Sequence, residues 1–159
     1  CIRDRTVTDP NNRVTRTEYD ALGRLIKGWL PEHTSATNPD VQIAYQAAVA
    51  DAKTTSPAAV TTRTLKDDGT YSSSITLYDG LQRAVQTQSE AHGSGRIVTD
   101  TSYNDHGLVD EQTSPYLAKG EPSTHLFERR SDSLLPSKTR TRYDGRERPV
   151  QVSTFYGQT

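Results

Sequence analysis

Methionine is missing from all 159 residues, cysteine and tryptophan each occur once, phenylalanine occurs twice, and only 31% of the chain is hydrophobic. Each shortage closes off a class of protein. The single Cys1 rules out an internal disulfide and a cysteine metal cluster. An apolar share this far below the usual about 45–50% (glycine included) leaves little material for a large private core. No apolar run approaches the roughly 20 residues of a membrane-spanning helix, and no signal-peptide pattern opens the sequence. A formal net charge of −1, with both signs mixed, gives no basic footprint for nucleic acid. The lack of methionine leads us to expect a piece of a longer chain.

What is present is turn chemistry in a recurring order. The run Thr8 to Val14 superposes on Tyr19 to Leu25, which sets Asp9 on Asp20, Asn12 on Gly23, Arg13 on Arg24 and Val14 on Leu25. An aspartate heading a turn accepts hydrogen bonds from backbone N–H groups one or two residues ahead, and Pro10 suits the same bend. Three residues past it the chain needs a positive φ, where Gly23 costs nothing and Asn12 little. The unit is a type I turn followed by a left-handed residue, a short hairpin connection. Between the turns, Thr, Val and Tyr suit a pleated surface.

The second heptad returns as Tyr78-Asp79-Gly80-Leu81-Gln82-Arg83-Ala84 and as Tyr143-Asp144-Gly145-Arg146-Glu147-Arg148-Pro149. A weaker copy is Tyr103-Asn104-Asp105-His106-Gly107-Leu108-Val109. This stretch resembles the YD repeats of the RHS (rearrangement hotspot) family: a Tyr-Asp pair, two variable residues, Gly, Arg and an aliphatic. Tyr19, Asp20, Gly23, Arg24 and Leu25 match throughout. The copies at Tyr78 and Tyr143 keep Arg83 and Arg148 but move the glycine to Gly80 and Gly145. The remaining copy keeps Gly107 and has Asn104 and Leu108 for Asp and Arg. Longer stretches such as Gly28 to Pro31 and Asp67 to Tyr71 look like actinobacterial YD-repeat proteins.

The expected fold is therefore all-β, with residues 1–159 as one repeat segment of consecutive antiparallel hairpins and long irregular loops. Its turns fall near 9–13, 19–25, 67–70, 78–84, 103–108 and 143–149. Cys1 to Val7 ends a preceding strand on Ile2 and Val7. Pro31 should stop the strand that closes at Trp29, and 32–58 is an insert with a loop from Glu32 to Asp40. Val41 to Tyr45 alternates as a strand, while the alanine-rich Gln46 to Lys53 has the propensity for a turn or two of helix. Strands follow at Val60–Leu65, Tyr71–Tyr78 with Ile75 and Leu77 on one face, Val85–Ser89, Ile97–Tyr103 and Val109–Thr113. Ser114 to Ser123, with Pro115, Gly120 and Pro122, is the longest expected loop. Leu126-Phe127 and Leu134-Leu135 are apolar plugs before a last hairpin at Thr139–Tyr143 and Val150–Tyr156.

No residue is nominated as catalytic, cofactor-binding or metal-binding, and no cofactor is expected. His33, His92, His106 and His125 lack ligand spacing. Asn104, Asp105 and Asp110 lack the alternating oxygens and terminal Glu of a calcium loop. Ser72 to Ser74 carries no nucleophile elbow. The motif tyrosines should instead tie neighbouring hairpins together, each ring over the next hairpin with its hydroxyl on backbone or water, and the motif arginines should stack on such rings. Tyr19→Ala and Tyr78→Ala are expected to destabilise the protein, and open sheet edges to favour self-association.

What the resemblance implies is a structural role: a strip of a larger spiral β-shell that encloses a C-terminal toxin domain, secreted or at the cell surface. Its partners would be the other repeats and that cargo of the same chain. The Asp-Pro-x-Gly-type closing motif of the family is not found here. The alternative is a module that binds carbohydrate or a cell surface, with Trp29 as its candidate contact.

Overall fold

The computed structural model describes residues 3–33, 38–50, 55–128 and 135–157. Its strands are β1 (Arg3–Thr8), β2 (Val14–Tyr19), β3 (Leu25–Trp29), β4 (Val41–Gln46), β5 (Val49–Ala50), β6 (Thr55–Ser56), β7 (Ala58–Leu65), β8 (Tyr71–Tyr78), β9 (Ala84–Glu90), β10 (Arg96–Tyr103), β11 (Val109–Thr113), β12 (Tyr116–Ala118), β13 (Ser137–Tyr143) and β14 (Pro149–Tyr156). The fold is all-β: a 12-stranded antiparallel sheet in the order β1-β2-β3-β4-β7-β8-β9-β10-β11-β13-β14, with β12 beside β10. Strands β5 and β6 pair separately. No helix occurs among the described residues.

The chain divides into two compact units, one of Cys1–Gln46 with Val60–Ser74 and one of Ala47–Ala59 with Ile75–Thr159. In the first, β1, β2 and β3 form a meander that slips register between Glu18 and Tyr19, beside the turn. Such a slip is what a turn ending in a left-handed residue imposes on the strands it joins. Strand β3 does end at Trp29, ahead of Pro31. The unit is centred on Trp29, 4% exposed, and on the buried carboxylates of Glu18 and Asp40. Glu18 is neutralised there by Arg16 at 2.8 Å and Lys27 at 3.1 Å.

In the second unit Ala59, Ile75 and Leu77 pack together with Val85, as the alternation along Tyr71–Tyr78 implies. A second cluster joins Val98, Tyr116, Ala118 and Leu135, with Phe127 against it. The long loop expected from Ser114 to Ser123 is broken by a strand: β12 pairs with the first half of β10, on the edge whose other half pairs with β11. The ladder is interrupted between Thr113 and Tyr116, where Pro115 has no N–H to give. The alanine-rich stretch is also not helical where described, since Gln46 ends β4 and Val49–Ala50 is strand β5. Ala lacks an apolar face to bury there, so pairing overrides propensity. Residues 51–54 of that stretch lie outside the described residues. So do Cys1, Ile2 and Leu134.

Candidate functional site

Six turns share one hydrogen-bond pattern, headed by Asp9, Asp20, Lys66, Asp79, Asn104 and Asp144. In each, the N–H of the heading residue donates to the carbonyl four residues on. Its carbonyl accepts the N–H of the residue three on, all at 2.8–3.1 Å. The residue at that third place takes positive φ whatever its identity: Asn12, Gly23, Gly69, Gln82, Gly107 and Glu147. The displaced glycines Gly80 and Gly145 are not the left-handed residues of their turns. Hairpin closure, rather than the position of the glycine, decides which residue bears the strain.

The heading carboxylates reach further than one or two residues. Oδ1 of Asp20 accepts the N–H groups of Leu22 and Arg24, both at 2.9 Å. Asp9, Asp79 and Asp144 repeat the arrangement, and the Asn104 amide oxygen does so without charge. Where Lys66 heads the turn, Asp68 holds Thr70 instead. In three turns the second carboxylate oxygen accepts Arg Nε: Asp20 from Arg24 at 2.7 Å, Asp79 from Arg83 at 2.8 Å and Asp144 from Arg148 at 2.9 Å. The backbone N–H of Arg24 and that of Arg83 are the main causes holding Asp20 and Asp79 below the ordinary carboxylate range. For Asp144 the Arg148 side chain is the main cause.

Two of the three gripped arginines then cover a tyrosine from a strand further along. The Arg24 guanidinium lies 4.3 Å from the ring centre of Tyr45, and that of Arg83 lies 4.4 Å from Tyr103. These two tyrosines, and Tyr143 with them, donate their hydroxyls to backbone: Tyr45 to Leu25 O at 3.1 Å, Tyr103 to Ala84 O at 2.9 Å and Tyr143 to Val109 O at 3.0 Å. In every case that carbonyl belongs to the fifth residue past the head of the preceding turn. The unit is a relay from turn carboxylate to arginine to a tyrosine near the end of the strand after the next.

Tyrosine and arginine do tie hairpins together, but the two stacked rings, Tyr45 and Tyr103, meet the arginine of the preceding turn and not that of their own motif. Tyr19 and Tyr78 are half-buried and carry no cation over their rings among the described residues. Tyr45 was invisible as a motif residue because Gln46 follows it where an aspartate would stand.

Trp29, expected as an exposed contact for carbohydrate, is buried, with the Arg16 guanidinium 4.4 Å from its ring centre. Apolar residues flank it too thinly to fill the unit, so the one large ring is drawn inward. The histidines stay scattered. His33 pairs with Asp40, whose carboxylate also accepts the Leu30 N–H at 2.7 Å, and this pairing raises the His33 pKa. No group of three or more His, Cys, Asp or Glu able to hold a metal occurs among the described residues.

Two buried glutamines were also missed. Gln86 holds Phe127 by both its N–H (2.8 Å) and its carbonyl (3.0 Å). Gln88, fully buried, accepts from Ser123 N–H at 2.9 Å and donates to His125 O at 2.8 Å. These amides satisfy the backbone of a strap that has no strand of its own.

Fold and site together define a β-hairpin repeat protein, in which tyrosine side chains tie later strands to the turns headed by Asp20, Asp79 and Asn104. Residues 5–40 match the family model described as RHS Repeat, so an RHS repeat forms the first part of this antiparallel sheet. No curated protein matches the chain. No helix among the described residues is long and apolar enough to cross a membrane.

Proposed function

We propose that this segment is scaffold: part of the wall of a larger β-shell that encloses a C-terminal toxin or effector domain of its own chain, in a secreted or surface-exposed protein. One observation carries the reading. Every tyrosine hydroxyl of the relay lands on the same carbonyl of the preceding turn, so further hairpins can be added without new kinds of contact. Repeats of this sort have no private core and bury their faces against neighbours, which agrees with the low apolar share. The RHS Repeat match over residues 5–40 supports the same conclusion.

The test is made on a longer chain carrying this segment. Its C-terminal domain should resist protease in the intact protein and become cleavable when the relay is broken by Arg83→Ala with Tyr103→Ala. Equal cleavage before and after would defeat the scaffold reading.

A further inference from the structure

Of the three relay tyrosines, Tyr143 has no arginine over its ring among the described residues. Between the turns headed by Asp79 and Asn104, Arg83 fills the space: it covers Tyr103, and its Nη1 lies so near Gly107 that an added Cβ would be 3.4 Å away. Between the turns headed by Asn104 and Asp144, the same place is held by Leu108, which is shorter and uncharged. A cavity of about 440 Å³ remains, lined by Leu108, Asp110, Tyr143 and Glu147 among others.

Leu108 and Asp110 line it together with Thr141 and Tyr143. Tyr143 keeps its hydroxyl on Val109 O, so its ring holds the relay position, yet no cation covers it among the described residues. Two carboxylates have entered at the same time. Asp110 stands where the other motifs carry Ile26, Val85 and Val150, and it has no partner among the described residues. Glu147 stands in the place of Gly107, and among the described residues its carboxylate pairs only with His106 Nδ1, at 3.7 Å. Arg142 also lines the cavity, whereas Asp144 is already matched by Arg148.

We propose that this cavity is a seat for a guanidinium group, brought by an arginine side chain of another polypeptide segment. Tyr143 supplies the π face, and Asp110 and Glu147 the counter-charge. The two filled seats set the precedent, with Arg24 on Tyr45 and Arg83 on Tyr103. A planar guanidinium can lie flat on the ring while its edge N–H groups meet carboxylates, which a lysine ammonium cannot do. The inference does not depend on the shell, because the cavity lies within one unit and asks only for an arginine.

The full chain, with its tyrosine rings isotope-labelled, is titrated with N-acetyl-arginine N-methylamide and followed by NMR. We expect saturable movement of the Tyr143 ring resonances, and binding severalfold weaker for the corresponding lysine compound. Asp110→Asn should weaken binding about fivefold. Asn104→Asp with Leu108→Arg rebuilds the relay in cis and should abolish it. Absence of saturable movement in the wild-type chain overturns the proposal, as does equal binding of the lysine compound. Unchanged affinity in Asp110→Asn, with the Tyr143 resonances otherwise in place, overturns it too.

Discussion

Arg83 and Tyr103 offer the sharpest test of the relay. The guanidinium sits 4.4 Å from the ring centre and the arginine side chain is 29% exposed, between the fully solvated and desolvated limits for such a contact. A coupling of about 1 kcal/mol follows. The Tyr103 hydroxyl adds a hydrogen bond to Ala84 O at 2.9 Å, worth about 1 kcal/mol net. The perturbation is a double-mutant cycle of Arg83→Leu and Tyr103→Leu, run in an Asp79→Asn background so that no carboxylate is orphaned. That background copies what the chain itself does at Asn104 and Leu108. Urea unfolding should give a coupling of about 1 kcal/mol, and Tyr103→Phe alone should cost about 1 kcal/mol, or about 2–4 °C in Tm for a chain of this size. Additive single effects, within about 0.3 kcal/mol, would refute the idea that the stack joins neighbouring hairpins.

Acid should loosen the turns. Asp20, Asp79 and Asp144 have folded pKa values below the ordinary 3.8, so their contribution is present in full above that value and is lost as pH falls through the depressed values. Urea midpoints should fall between about pH 5 and about pH 2, and the fall should shrink in Asp79→Asn. Gln82 pays left-handed strain at φ 62°, so Gln82→Gly should stabilise by roughly 0.5–1 kcal/mol in thermal melts. Gly107→Ala should destabilise, since it adds a Cβ at φ 82° beside Arg83. Gln88→Ala leaves Ser123 N–H without its partner and takes one partner each from His125 O and Arg96 Nη1, at a cost of about 2–3 kcal/mol. Hydrogen exchange at Ser123 should speed up ahead of the rest of the sheet.

The sequence alone determined what is local. An aspartate, three intervening residues and an arginine close a turn whose hydrogen bonds all fall within five residues, so the turns and the strands they bound could be read from spacing. The alternation of Ile75 and Leu77 likewise named one face of β8 and its core. Only the tertiary structure decided which tyrosine meets which arginine. That choice depends on the strand beyond the next, and Tyr45 bears no local mark of it. The inward turn of Trp29, the strand made of Tyr116 to Ala118 after Pro115, and the strap held by Gln86 and Gln88 were hidden for the same reason. Each is settled by which surface needs covering once the sheet has formed, a quantity that no window of neighbouring residues contains.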